Sequence, residues 1–194
     1  RKDHNVVCGC DEAGRGPLAG DVFAAAVIFD KDTVIEGIND SKKLTAKKRE
    51  ELFDEIMEKA VDFSIQTATV EEIEDINILN AAMLAMKRAV EDMDTKPDVC
   101  LIDGNKTPEG LECPAIAVVK GDAKSQAVAA ASILAKVARD RYMEQMAEQY
   151  PEYRFEKHKG YGTKLHYQMI DQYGPCGIHR MSFLKKYYAK KNGH

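Results

Sequence analysis

No apolar run in this 194-residue chain approaches the roughly 18 residues of a membrane span. Nothing at its start has the form of a secretory signal, and a cytoplasmic protein is expected. The chain opens on Arg1-Lys2, which leaves room for a missing native start. Cysteine is scarce: five residues, Cys8, Cys10, Cys100, Cys113 and Cys176, an odd number without a framework spacing. Only Cys8 and Cys10 are close, and three of the five fall in or beside expected strands. Reduced, buried thiols fit this better than zinc or disulfides. Repeats, low-complexity stretches and linkers are absent too. With 44% hydrophobic residues, one domain spanning 1–194 with a real core is expected.

Excess positive charge is also lacking. The net charge of −4 argues by itself against a nucleic-acid binder, but its distribution argues the other way. Residues 154–194 hold nine Lys or Arg and two acids, a net +7, which leaves −11 on the rest. Four of the five histidines, His158, His166, His179 and His194, also lie there. The asymmetry suggests an anionic partner for one face. Taken alone, it is equally a solvated pair of basic helices.

Strands are expected at residues 5–10, 21–29, 63–70, 97–102 and 115–119, the first two antiparallel. Helices are expected after an N-cap at Thr45, over 77–93 and 125–149, and at about 164–172 and 181–190. In the long helix, Ala127, Ala131, Leu134, Ala138 and Tyr142 make a face of small residues that can lie close on a sheet. Strands separated by helices after an antiparallel start indicate a layered α/β domain.

The chain turns around Cys8-Gly-Cys-Asp-Glu-Ala-Gly-Arg-Gly16. Asp11 and Glu12 follow a short apolar run, and Asp103 and Asp122 lie at or just beyond later strand ends, where α/β sheets gather their sites. Strict alternation would send Asp11 and Glu12 to opposite faces, so one site for both requires the strand to end and the backbone to turn at Ala13-Gly14. Clustered carboxylate oxygens select Mg²⁺ or Mn²⁺ rather than zinc. Two such ions about 3.5–4 Å apart would hydrolyse a phosphodiester, one generating hydroxide and the other stabilising the leaving oxygen. Singly, each acid has a plainer explanation: Asp122 a helix cap, Asp103 part of an Asp-Gly turn, Glu12 a surface residue.

The stretches Asp11-Glu-Ala-Gly-Arg-Gly-Pro-Leu-Ala-Gly20, Asn39-Asp-Ser-Lys-Lys-Leu44, Leu101-Ile-Asp-Gly-Asn105, Val119-Lys-Gly-Asp122, Ala129–Val137, His158-Lys-Gly-Tyr161 and His179-Arg-Met-Ser-Phe183 run in order over nearly the whole chain. With them the sequence resembles the ribonuclease HII family, departing at Ala138, where the family usually has threonine. The resemblance implies an RNase H-like fold: a mixed five-stranded sheet flanked by helices, with a C-terminal helical extension. It implies cleavage of the RNA strand of RNA–DNA hybrids and incision 5′ of single ribonucleotides in duplex DNA, leaving 3′-hydroxyl and 5′-phosphate ends. It makes Asp11, Glu12, Asp103 and Asp122 the catalytic acids holding two Mn²⁺ or Mg²⁺ ions. Gly14, Arg15, Gly16 and Tyr161 would recognise the ribonucleotide. Lys42 and Lys43 would join Arg15 on phosphates, and the basic segment 154–194 would hold the duplex. A monomer is expected.

In a two-metal mechanism no histidine base is needed, so His158 and His179 are left as phosphate or structural contacts. The nearest rival is a ribonuclease HIII-like, hybrid-only nuclease, which usually carries an extra N-terminal domain. A DNA-specific nuclease would have no use for a 2′-hydroxyl sensor. A non-enzymatic duplex binder would gain nothing from four acids beside phosphates.

Overall fold

The computed structural model describes residues 6–193, apart from the side chains of residues 40–42. β1 (Val7–Ala13) and β2 (Val22–Ile28) pair antiparallel, Cys8 opposite Ile28 and Ala13 opposite Phe23. After a 3-10 helix at Ile38–Lys43 and α1 (Ala46–Lys59), β3 (Asp62–Ala68) pairs antiparallel with β2. Next come α2 (Val70–Ile76) and α3 (Ile78–Asp92). β4 (Val99–Asp103) then joins β1 in parallel and β5 (Ala115–Val118) joins β4, giving the order β3-β2-β1-β4-β5. The chain finishes with α4 (Gly121–Lys124), α5 (Gln126–Gln149), α6 (Phe155–His158), α7 (Lys164–Tyr173) and α8 (Met181–Lys191).

β2 has no polar face because helices cover the sheet on both sides. Val22, Ala24, Ala26 and Ile28 pack with Ala85, Met86 and Ala89 of α3. Ala25 and Val27 pack with α5 and with Leu52, Phe53 and Ile56 of α1. Placed between the sheet and α1, α5 is buried from Val128 to Ala131 and from Ile133 to Ala135, well beyond the expected single stripe. Small residues allow the close approach, since a Cβ on Gly9 would land on the backbone of Ala127 and Val128.

Two strands end two or more residues from the expected position. β3 stops at Ala68 because Thr69 and Glu72 form a capping box that starts α2. β1 continues to Ala13 instead of ending at residue 10, because Asp11, Glu12 and Ala13 keep their pairing with Ala25, Ala24 and Phe23. All five cysteines are free, and Cys8, Cys10 and Cys100 are buried in the core under α3. At the C-terminal end, α7 and α8 close over Leu18 through Ile170 and Leu184.

Candidate active site

The last parallel pair between β1 and β4 is Cys10 with Ile102, so Asp11-Glu12-Ala13 runs past that ladder with one edge open. Alternation sends Asp11 toward α5 and Glu12 toward α3. The open edge nevertheless admits both carboxylates to one cleft of about 510 Å³, which Asp103 and Asp122 also line. The expected break in the strand is therefore not what unites them. Asp103 ends β4 and its Oδ1 accepts the Gly121 N–H at 2.7 Å, tying the strand end to α4. Asp122 sits in the first turn of α4, behind Lys120 in the left-handed region (φ 55°). It does not cap α5: Ser125 Oγ does, accepting from the Val128 N–H at 3.3 Å.

The acids are electrically strained. Burial pushes the Asp11 carboxyl well above the usual carboxylate range, and the charges of Glu12 and Asp103 push the same way. Burial also raises Asp103, against the opposing Gly121 N–H, with Asp122 and Glu12 adding to the rise. Glu12 Oε1 meets Arg15 at 3.3 Å, while its Oε2 is buried without a hydrogen-bond partner. Among the described residues, no three carboxylates, thiols or imidazoles form a ready-made ligand shell. An all-oxygen donor set with an orphaned buried oxygen and two raised acids nonetheless fits a hard divalent cation, which would relieve both the repulsion and the missing partner.

Gly14, Arg15 and Gly16 follow β1 directly. Gly14 has φ 95°, and a Cβ there would strike the Arg139 side chain. Gly16 faces Tyr161, whose ring would lie 3.9 Å from a Cβ at that glycine. Tyr161 is 39% exposed, with Lys136 Nζ and Arg139 Cζ each 5.8 Å from its ring centre. Because Lys136 also lines the acid cleft, the turn and Tyr161 stand at its rim. Arg15 is drawn to Glu12. Lys43 is exposed on the 3-10 helix and does not line the cleft, and the Lys42 side chain lies outside the described residues.

Sequence reasoning gave no role to Arg49, Lys120 and Lys136, which bring positive charge to the cleft. It also passed over Arg139 and Arg180. Both are buried, and they hold the loop after β1 by its carbonyls: Arg139 donates to Ala19 and Asp21, Arg180 to Gly14, Arg15, Pro17 and Gly20, and Arg139 also donates to Lys159 O just after α6. No sequence signal marked either, because Arg139 stands among Lys136, Asp140 and Arg141 on its helix and Arg180 lies in the basic segment. His158, His166 and His179 are buried behind Tyr161, which removes His158 and His179 from any phosphate.

A central β1–β4 pair whose carboxylate ends share a cleft, in a five-stranded mixed sheet, defines an RNase H-like nuclease. The family model "Ribonuclease HII" matches residues 8–186. Ribonuclease HII of Caldicellulosiruptor saccharolyticus is 55% identical over 185 residues, 95% of this chain and 90% of that protein. That of Idiomarina loihiensis is 58% identical over 178 residues, 92% and 95% of the two chains. The crystal structure of ribonuclease H2 from Pyrococcus horikoshii OT3 superposes with a TM-score of 0.80 at 29% identity, covering 97% of this chain and all of that one. Bst ribonuclease HIII, solved in complex with Mn²⁺, shares the fold at 16% identity, with a TM-score of 0.71 over 97% of this chain and 71% of that one. The chain belongs to the ribonuclease HII family, and it is an endoribonuclease of the RNase H type.

Proposed function

We propose that the protein incises 5′ of single ribonucleotides embedded in duplex DNA, besides cutting the RNA strand of hybrids. The products would carry 3′-hydroxyl and 5′-phosphate ends, suited to ribonucleotide removal from DNA and to RNA primer removal. The observation that carries this reading is that the Tyr161 ring faces Gly16 at the rim of the acid cleft. Asp11, Glu12, Asp103 and Asp122 would hold two Mg²⁺ or Mn²⁺ ions, whose chemistry when bound is activation of the attacking water and neutralisation of the leaving oxygen. The Mn²⁺ complex of Bst ribonuclease HIII supports that choice.

The protein's own groups then place the substrate. Backbone groups of Gly14-Arg15-Gly16 can approach the 2′-hydroxyl because no side chain intervenes at the glycines. The Tyr161 ring would pack on the next sugar, which a deoxyribose accepts without an added hydroxyl. Lys120 and Lys136 face the cleft as phosphate contacts beside the acids. The chain would work as a single catalytic unit, with 154–194 as its basic substrate-binding segment, as a monomer in the cytoplasm. Among the described residues, no helix is long and apolar enough to cross a membrane.

The test uses a DNA duplex with one ribonucleotide, in Mg²⁺, Mn²⁺ or chelator, beside an all-DNA control. A metal-dependent nick 5′ of the ribonucleotide with the control intact is expected. Cutting of long hybrids alone would leave a hybrid-only enzyme.

A further inference from the structure

The turn and Tyr161 come from distant parts of the chain, and their spacing must be held by something beneath them. Arg180 is fully buried, and its guanidinium donates only to backbone carbonyls. Its Nε donates to Gly20 O at 2.8 Å, its Nη1 to Pro17 O at 2.8 Å and Arg15 O at 3.1 Å, and its Nη2 to Gly14 O at 2.6 Å. No described carboxylate forms an ion pair with it; burial, and then the charge of Arg139, lowers its pKa to about 9, with Asp21 acting the other way. A buried guanidinium is costly unless its donors are used, and here four bonds go to one seven-residue loop.

The direction of those bonds matters. In a trans peptide the carbonyl and the following N–H point opposite ways. Turning the Gly14 and Arg15 carbonyls onto Arg180 therefore turns the Arg15 and Gly16 N–H groups away from it. A charged donor on each carbonyl also polarises those amides, making the N–H groups stronger donors.

The preceding residue holds the other half of the sensor. His179 Nδ1 accepts the Cys176 N–H at 2.9 Å, so its Nε2 carries the proton and donates to His166 Nε2 at 2.9 Å. His166 must then carry its proton on Nδ1, which donates to the carbonyl of Tyr161 at 2.9 Å. His158, stacked on His166 at 4.1 Å, accepts the Gly160 N–H on Nδ1 at 3.1 Å. The backbone on either side of His179 is locked to the loop as well: the Arg180 N–H donates to Leu18 O at 2.8 Å, and Ile178 O accepts the Gly20 N–H at 2.9 Å. Neither residue lines the acid cleft.

We infer that the dipeptide His179-Arg180 is a positioning element that sets the gap between the Gly14–Gly16 turn and Tyr161, and through it the discrimination of ribose from deoxyribose. The inference rests on the reading of the turn and Tyr161 as the ribose sensor. Arg180 acts on the turn, and His179 acts on Tyr161 through His166.

The experiment measures Kd in Ca²⁺, with no activity readout, for two duplexes that differ only in one ribonucleotide. In Arg180→Lys a single ammonium cannot span four carbonyls. Its preference for the ribonucleotide duplex should fall about tenfold, the equivalent of one hydrogen bond. Its Kd for the all-DNA duplex should stay within about twofold of wild type, as expected if phosphate contacts persist. His166→Leu, which cannot reach the Tyr161 carbonyl, should lose preference in the same way. His166→Asn, whose amide nitrogen can stand where Nδ1 does, should recover most of it. This second pair decides the question if Arg180→Lys does not fold. Unchanged preference in folded variants overturns the inference, as does equal weakening on both duplexes. A wild type that binds the two duplexes equally, with Tyr161→Ala indistinguishable from it, removes the sensor reading and the inference with it. A wild-type preference that Tyr161→Ala abolishes but Arg180→Lys and His166→Leu preserve removes the inference alone.

Discussion

Asp11 carries a charge that the metal-free fold disfavours. Its carboxyl is raised by burial first, then by Glu12 and Asp103. A carboxyl whose folded pKa lies above its unfolded value costs stability as pH rises above the unfolded value near 3.9, and at neutral pH that loss is in force. Asp11→Asn should therefore abolish cleavage while raising the metal-free Tm. Melting in chelator and in saturating Mg²⁺ checks both halves, since the variant should also lose metal-induced stabilisation. A lower Tm in chelator, or near-normal cleavage, would remove Asp11 from the site. Tyr161 makes a different prediction. Its ring is at the cleft rim and not among the acids, so Tyr161→Ala should reduce kcat/KM on single-ribonucleotide duplexes far more than on long hybrids. Equal loss on both would count against a junction role.

Among the elements, α5 decides where β1 lies, and at Gly9 the α5 backbone leaves no room for a Cβ. Gly9→Ala would force backbone apart from backbone, at about 3 kcal/mol or more in unfolding free energy. A wild-type denaturation midpoint would show that α5 can slide. The cluster of His158, His166 and His179 joins α6, α7 and the segment before α8. Burial lowers His166 to about 4, and burial with the neighbouring imidazoles lowers His179 to about 3. These groups bind protons more readily unfolded, near pH 6.5, than folded. Stability is thus full above about pH 6.5 and declines as pH falls toward 4 and 3, by on the order of 3 kcal/mol for His166 alone. In Tm against pH, His166→Asn should decline less steeply than wild type over that window, and parallel curves would refute the assignment. The same elements show what the sequence could convey. Strands that end near carboxylates were legible, because apolar runs and the acids after them are local patterns. The continuation of β1 was not, because Asp-Glu before glycine reads as a strand end unless the partner strand is known. Arg139 and Arg180 read as surface charges. Their acceptors lie 120 and 166 residues away, at Ala19 and Gly14, and no local pattern reveals them.

At the scale of the molecule, charge has to be reconciled with a polyanionic substrate. Outside 154–194 the chain carries −11, so a duplex approaching the acid cleft meets repulsion that the basic segment must offset. Not every basic residue there is free to do so. Arg180 is buried, while Arg154, Lys159 and Lys191 are engaged with Glu156, Glu144 and Asp171. Lys185 and Lys186 are exposed on α8, which is anchored through Leu184 on Leu18, two residues beyond the Gly14–Gly16 turn. If the ribonucleotide sits at that turn, as proposed, they would touch the backbone of the duplex. Replacing both with glutamine removes two counterion-releasing contacts without disturbing the Leu184 anchor. The slope of log Kd against log salt, measured on a single-ribonucleotide duplex in Ca²⁺, should become shallower by about 2. The preference for that duplex over all-DNA should stay as in wild type, because phosphate contacts carry no information about the sugar. An unchanged slope would place the duplex on another face. A changed preference would mean that α8 works through Leu18 on the turn itself.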